Sequence, residues 1–568
     1  MQRNVRVRPQ LLLTPPDAPR NLVSSGVPAE SRIDSPGHPC YRKGVYADRL
    51  AAVAILLPAL GCAPPVHTVH PPATVPAPVP ACSDWSLVET GRFTQEALFG
   101  PGEIPGLGKA QGPGGALGDL DGDGWLDLLF TVRNGRSFGF LNDGTGVLVP
   151  DETLTVDGAP LPAASSVALA DLDDDGDLDG VLARERGVPD LVIHNQGGGE
   201  FISSELQDSA GESLSPVFGD LDGDGRLDLF IGGFAHSVNR ELAATGATQG
   251  EGSKLYFQIG PGEWADRTSN VPPLQLVALN HHTAVLDSDL DGDLDLYLAN
   301  EAGIGNVNPA LLVNDGAGQF SIATQCFCDE PIAGMGAAVG DPNGDGRPDL
   351  FVTNLTDHKL YLNEGANQFL QAASALGTLA DDPESDSGWG AAFVDLDADT
   401  DEDLPVVFGM ADPSAADETH SATQPDVLLE RVGDQFEVRN DLLGDRGVAR
   451  TVLVGDLNRD GRPDLVVIGR VYVVVYLAEG GCDPGITLSL DAGDGNRQGI
   501  GARVEVTTPT AFFTRWMLPS VTYGSSAAEL YLGLNNQPVA DLRITWPDGT
   551  IQEVAGLQAG ERHTIRQE

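Results

Sequence analysis

The chain has 568 residues and a formal net charge of −50, from 83 acidic and 33 basic side chains. Charge of that sign and size argues against nucleic acid or an anionic membrane surface as partner. The length admits two to four domains with ample material for large cores, and 70 Gly with few Lys suits a turn-rich all-β protein.

Residues 1–40 are rich in Arg and Pro and lack apolar periodicity, so they read as disordered or as sequence upstream of the true translation start. Arg42, Lys43 and Arg49 then precede the apolar run Leu50–Leu60 and Gly61-Cys62. A basic flank and a run of about ten apolar residues fit a secretory signal, because a membrane span needs about twenty. Ala59-Leu60-Gly61-Cys62 resembles a bacterial lipobox with Ala where Leu is usual, which makes Cys62 the expected lipidation site. Residues 1–61 are thus leader and signal, and the Pro-rich stretch 62–84 is an extended tether.

From Asp119 onward one pattern recurs: an acidic or amide residue at positions 1, 3, 5 and 9 of a short loop, Gly at 6, then an apolar β-type run. The first three copies offer Asp119, Asp121, Asp123 and Asp127; Asp171, Asp173, Asp175 and Asp179; and Asp220, Asp222, Asp224 and Asp228. The next two offer Asp287, Asp289, Asp291 and Asp295, then Asp341, Asn343, Asp345 and Asp349. The last two offer Asp395, Asp397, Asp399 and Asp403, then Asp456, Asn458, Asp460 and Asp464. Carboxylates at alternate positions converge only if the backbone wraps a centre, and they would repel there without a hard cation such as Ca²⁺. Up to seven Ca²⁺ are expected.

An EF-hand or dockerin shares the Asp spacing, but an EF-hand also requires a bidentate Glu at position 12 and flanking helices. Position 12 here is Phe130, Leu182, Ile231, Leu298, Val352, Val406 and Val467, all apolar and all in strand-like runs. The loops therefore belong to sheets. Successive copies begin 49 to 67 residues apart, a period suited to one propeller blade.

A second element, a Gly-x-aromatic tail, alternates with the loops at Phe93, Leu148, Phe201, Trp264, Phe320, Phe369 and Phe436. The chain starts on a tail and ends on a loop, so the strand near Gly91–Ala97 is expected to complete the last blade and remove its open edge. Cys82 and Cys482 would meet at that seam and form a disulfide, whereas Cys326-Phe327-Cys328 is too tightly spaced for an ordinary bridge and its pairing stays open.

Loops of the form DxDxDGxxD at this period resemble the FG-GAP/VCBS repeats of integrin α-chain propellers, over roughly residues 85–482. The resemblance implies that the side chains at 1, 3, 5 and 9 hold Ca²⁺ together with a backbone carbonyl at 7. Loop six departs from the pattern, with Thr400 in place of Gly and with Asp401 and Glu402 crowding Asp403, so it is expected to bind most weakly.

Residues 483–568 carry no Asp loop and read as short strands of a small β-sandwich. Asn496-Arg497-Gln498-Gly499-Ile500-Gly501, Leu532-Gly533-Leu534 and Trp546-Pro547-Asp548-Gly549 resemble the ASPIC/UnbV module, a resemblance that implies no defined reaction.

No serine-hydrolase elbow, Walker loop, HExxH or CxxC appears. In a propeller the axis is the place to look. His281, Met335, Trp389 and Arg450 fall at equivalent positions near one channel mouth, with His282 beside them. They either fill the channel or bind a small polar or carbohydrate-like ligand. The sequence thus predicts an all-β chain: a seven-bladed β-propeller closed by its N-terminal strand, then a small β-sandwich. Its expected role is a monomeric, secreted or surface-anchored Ca²⁺-binding module for an extracellular protein or glycan, of bacterial lipoprotein type. It would touch membrane only through its anchor. The other class is a Ca²⁺-dependent carbohydrate-active enzyme resembling a polysaccharide lyase, with Arg450 as the basic candidate in the ring.

Overall fold

The computed structural model describes residues 85–94, 113–234, 252–302, 307–377, 387–410, 424–439 and 442–568, except single positions 134, 186, 356, 444 and 471. The expectations for the signal, for Cys62 and for the tether lie outside these residues. The described chain is all-β apart from a few single turns of helix.

Among the described residues, seven sheets each contain a four-stranded antiparallel run, and each run carries one Asp loop between its first and second strands. In the third unit, for example, Ser213–Gly219 pairs with Asp228–Gly233, then Lys254–Gly260, then Glu263–Asp266. The last unit differs in origin: its outer strand is Trp85–Thr94, antiparallel to Tyr472–Gly480 with Phe93 opposite Val473. That strand starts ahead of the Gly91–Ala97 segment expected from sequence. Segments from the two ends of the repeats thus share hydrogen bonds, and Trp85–Thr94 covers the edge that Tyr472–Gly480 would otherwise expose.

Burial grades outward along each unit. First and second strands such as Ser166–Ala170 and Asp179–Ala183 are buried throughout, whereas the outer strand Glu200–Glu205 alternates. Sheets covered on both faces need continuous apolar runs, and a half-exposed strand needs a period of two. The first strands pack on one another in order: Gly115–Gly118, Ser166–Ala170, Ser213–Gly219, Asn280–Leu286, Gly334–Gly340, Gly388–Ala391 and Ala449–Gly455. Ala449–Gly455 then packs back on Gly115–Gly118. Apolar clusters fill the spaces between adjacent sheets rather than a single centre; one joins Leu128, Phe130 and Phe140 to Leu453, Val466 and Val475, bridging the first unit and the last. Each such side chain contributes about 1.5–3 kcal/mol on burial.

The C-terminal segment forms a sheet of Leu530–Leu532, Ile486–Asp491 and Arg562–Arg566 facing one of Phe512–Trp516, Arg503–Thr507, Val539–Thr545 and Ile551–Gln558. Leu488, Val504, Val506, Leu542 and Trp546 share the core between them. A hairpin, Ser520–Val521 with Gly524–Ser525, leaves this sandwich and joins the first unit, pairing parallel to Gly115–Gly118. Only glycine fits that approach: a Cβ on Gly114 would stand 1.8 Å from the carbonyl oxygen of Tyr523. Repeats and sandwich accordingly belong to one compact unit, Val75–Glu568. Among the described residues no helix is long and apolar enough to cross a membrane.

Candidate metal centres

Each loop turns by placing positions 4 and 6 in the left-handed region, as at Gly122 (φ +79°) and Gly124 (φ +91°). Position 6 is Gly in six loops; in loop six Thr400 takes φ +91°, a strained setting for a β-branched residue. The sequence signal at position 4 is weaker, because Asp174, Leu290, Ala398 and Arg459 also adopt positive φ there.

The turn folds the backbone onto the first carboxylate. Asp119 Oδ1 accepts from Gly122 N and Oδ2 from Gly124 N, both at 2.9 Å, and Asp220 repeats this with Gly223 and Gly225. Position 9 is buried in every loop. Asp127 Oδ2 accepts from Leu120 N and its Oδ1 from Asn142 N, each at 2.9 Å. Ligand atoms of Asp119, Asp121 and Asp127 thereby come within 4.8 Å of one another, as do those of Asp220, Asp222 and Asp228 and those of Asp287, Asp289 and Asp291.

These carboxylates are poorly compensated. Burial pushes Asp127 and Asp295 up to about 7 and Asp228 to about 8, with repulsion from neighbouring Asp residues adding to it. Asp171 Oδ1, Asp173 Oδ1, Asp222 Oδ1 and Asp289 Oδ1 are shielded from solvent and meet no hydrogen-bond donor. Loop five shows the cause at one atom. Its position 2 is Pro342, which has no N–H, so Asp349 Oδ2 lacks the donor that Leu120 gives Asp127, and burial pushes Asp349 up to about 9. Converging, under-satisfied oxygens are the donor set that a hard divalent cation satisfies.

Loop six is the most enclosed, with Asp395, Asp397 and Asp403 all buried. Glu402 does not crowd Asp403 as expected from sequence. It ion-pairs with Arg515 at 3.3 Å and accepts from Asp341 N at 2.8 Å, tying loop six to loop five and to the C-terminal sandwich.

A residue type that the sequence reading passed over completes the centres. The backbone N–H that caps position 9 belongs to Asn142, Asn195, Gln258, Asn314 or Asn363 in units one to five. The side-chain amide of that residue reaches the loop of the preceding unit: Asn195 to Leu120 O, Gln258 to Leu172 O, Asn314 to Leu221 O and Asn363 to Ser288 O, at 2.7–2.9 Å. Asn142 reaches Leu457 O of the last unit at 2.8 Å. The Asn-x-Gly turns, Gln-x-Gly in unit three, that end the third strands of units one to five were the available signal.

Models of FG-GAP-like repeats match residues 119–182, 171–231, 287–352 and 341–406, and a model described as ASPIC and UnbV matches 492–568. The chain is an FG-GAP-repeat protein with a C-terminal ASPIC and UnbV domain. It is 28% identical to cartilage acidic protein 1 of Xenopus tropicalis over 280 residues, 44% of this chain and 41% of that protein. The Homo sapiens cartilage acidic protein 1 is 28% identical over 290 residues, 46% of this chain and 41% of the relative. The chain thus spans about two fifths of the length of the curated relatives it matches. Similar solved structures include an Agrocybe aegerita lectin that recognises non-reducing terminal N-acetylglucosamine (19% identity, 61% of this chain, 83% of that chain, TM-score 0.40). Another is virginiamycin B lyase from Staphylococcus aureus (9% identity, 69% and 99%, TM-score 0.38).

The ASPIC and UnbV domain bears directly on the residues expected at the channel mouth. His281, Met335, Trp389 and Arg450 are buried and do come together, and the space they surround is filled by Tyr523 of that domain's hairpin. The Tyr523 hydroxyl lies 2.7 Å from His281 Nδ1, and His281 Nε2 lies 3.3 Å from Glu301. Arg450 stacks 3.9 Å from the centre of the Trp389 ring and donates to the carbonyls of Gly409, Ala449 and Met410. His282 turns away toward Ser215 Oγ at 3.0 Å, and burial pushes it down to about 3, so it stays neutral. The ligand reading of this cluster loses its space to Tyr523. The same domain sets Arg497 on Asp171 and Arg562 on Asp456, each at 3.0 Å.

Cys326 and Cys328, whose spacing looked too tight for an ordinary bridge, form a disulfide with Cα atoms 5.1 Å apart, in which Phe327 takes φ +57°. Cys482 is disulfide-bonded, and Cys82, its expected partner, lies outside the described residues.

Proposed function

We propose that the FG-GAP repeats form a seven-bladed β-propeller stapled by Ca²⁺, carried outside the cytoplasm and serving as a binding or adhesion module. The observation that carries the metal reading is the repeated set of buried carboxylate oxygens without donors, Asp349 Oδ2 foremost. Asp or Asn at positions 1, 3, 5 and 9 would hold each ion. The ion would supply charge neutralisation, so its role is to fix the corner between the first two strands of a blade. Order among the first strands, with Ala449–Gly455 returning to Gly115–Gly118, supports the closed ring.

Disulfides at Cys326–Cys328 and at Cys482 favour an oxidising compartment, in keeping with the signal and the lipidated Cys62 read from sequence. The partner in this reading is an extracellular protein or glycan met on the outer surface, because Tyr523 occupies the axis. An enzymatic reading would need an accessible basic residue in the ring, and Arg450 is fully buried beneath Trp389. Thermal unfolding in EDTA and in excess Ca²⁺ tests the proposal. A melting temperature that rises with Ca²⁺ supports it, each site adding about 2.7 kcal/mol of stability at a hundredfold excess over Kd. Identical melting in the two buffers would overturn it.

A further inference from the structure

One residue position gives the second loop an imidazole that its sisters lack. The side chain just before the capping Asn, Gln or equivalent is Leu141, Phe257, Val313, Leu362 or Leu477 in units one, three, four, five and seven, and Glu430 in unit six, where it is held by Trp85 and Arg439. In unit two it is His194, at the end of the strand Leu191–Asn195. Its Nδ1 lies 3.5 Å from Asp173 Oδ2 and 3.4 Å from Asp179 Oδ2, and the three groups offer ligand atoms that all lie within 4.8 Å.

The imidazole is held in place from behind. A Cβ on Gly262, in the next unit, would come within 2.8 Å of its Cε1 and 3.0 Å of its Nε2, so that edge is pressed against the Gly262 backbone while Nδ1 faces the carboxylates. Nitrogen-to-oxygen separations of about 3.4 Å are the edge lengths of a polyhedron whose metal–ligand bonds are about 2.1 Å. A second observation on the same loop is independent of the imidazole. Asp171 is 1% exposed, yet its Oδ1 meets no donor, and Asp173 Oδ1 is shielded and equally bare. The opposite oxygen of Asp171 is committed to Arg497 and to Gly176 N, both at 3.0 Å. Loop two therefore keeps two bare oxygens, on Asp171 and Asp173, and adds a nitrogen to them.

Ca²⁺ takes six to eight oxygens, whereas imidazole with carboxylates suits borderline transition ions. From this we infer that loop two is a mixed Asp/His site for a divalent transition ion of the Zn²⁺ class, ligated by His194, Asp173 and Asp179 with Asp171 alongside. The inference rests on the proposal that the Asp loops bind cations, and it changes the ion at one of them.

The test uses the full chain, stripped with chelator and then held in excess Ca²⁺ so that the other loops are filled. Zn²⁺ is titrated by calorimetry into the wild type, His194→Leu, which copies the residue of units one, five and seven, and His194→Gln, which keeps a polar side chain. The expected result is a Zn²⁺ site in the wild type that Ca²⁺ does not compete away. Both variants should weaken it by more than about tenfold, while their melting temperature in Ca²⁺ stays that of the wild type. Co²⁺ in place of Zn²⁺ should give a visible absorption band that both variants lose. Zn²⁺ binding equal in all three proteins would overturn the inference and leave His194 as an ion-pair partner only. Zn²⁺ binding that depends on His194 in a chain indifferent to Ca²⁺ would uphold it and sink the calcium reading instead.

Discussion

The side-chain amide of Asn142 donates to the backbone carbonyl of Leu457 at 2.8 Å, across 315 positions of sequence. The same amide donates to Leu126 O, while its Oδ1 accepts from Gly144 N and Gly146 N. One buried side chain thus shapes its own turn and fastens the first unit to the last. Asn142→Asp keeps the size and the acceptor but removes both donors and sets a carboxylate against two carbonyls. We expect a loss of about 1–3 kcal/mol or more, read as a lower urea midpoint with an unchanged slope.

Tyr523 should matter through packing more than through its hydroxyl. Tyr523→Phe removes the contact with His281 Nδ1 and should cost about 1 kcal/mol. Tyr523→Ala empties the space between Trp389 and His281 and should cost about 3–5 kcal/mol, as large aromatic truncations in cores do. Equal destabilisation by the two variants in urea would refute the packing account.

Much of this was legible in the sequence, for identifiable reasons. The Asp loops were visible because convergent carboxylates need fixed spacing and a left-handed residue. The apolar residues at position 12 said sheet because a strand follows at once, and each of them is buried. The seam was visible because a tail without a loop opens the repeats. Three features were hidden. The Asn latches act between units, so their partners lie far away in sequence. The hairpin around Tyr523 is a short detour between strands of the sandwich, and nothing in Val521-Thr522-Tyr523-Gly524 says where it goes. Glu402 looked like surplus charge until Arg515 from another domain supplied its partner.

Asp349 offers a substitution whose sign should depend on the buffer. Its Oδ1 accepts from Asn363 N at 2.6 Å, and its Oδ2 meets no donor because Pro342 lacks an N–H. Asp349→Asn keeps the first bond and removes a buried carboxyl that burial holds at about 9. It should raise the melting temperature in EDTA and lower it in Ca²⁺. Asp127→Asn, whose second oxygen does have Leu120 N, should lower it in both.

The pH dependence should reverse with the metal. In chelator, burial holds Asp127 and Asp295 at about 7, Asp228 at about 8 and Asp349 at about 9, against about 3.9 for an unfolded carboxyl. The folded state then binds more protons than the unfolded one. That stabilisation is complete below the unfolded value and is lost as pH rises through the folded values, so the chelated chain should be more stable near about pH 5 than about pH 8. With Ca²⁺ the carboxylates must be ionised to bind, so stability should rise over the same interval. Urea midpoints at both pH values, with and without Ca²⁺, check the crossing.

Counting the bound calcium tests the central claim most directly. Equilibrium dialysis of the chelator-stripped chain against Ca²⁺, followed by metal analysis, should find several ions per chain, approaching one for each Asp loop. Aspartate-to-alanine changes at position 1 of one loop, such as Asp220→Ala, should remove a single ion and leave the rest. A chain that retains no calcium, or one whose calcium is unaffected by Asp220→Ala, would contradict the account.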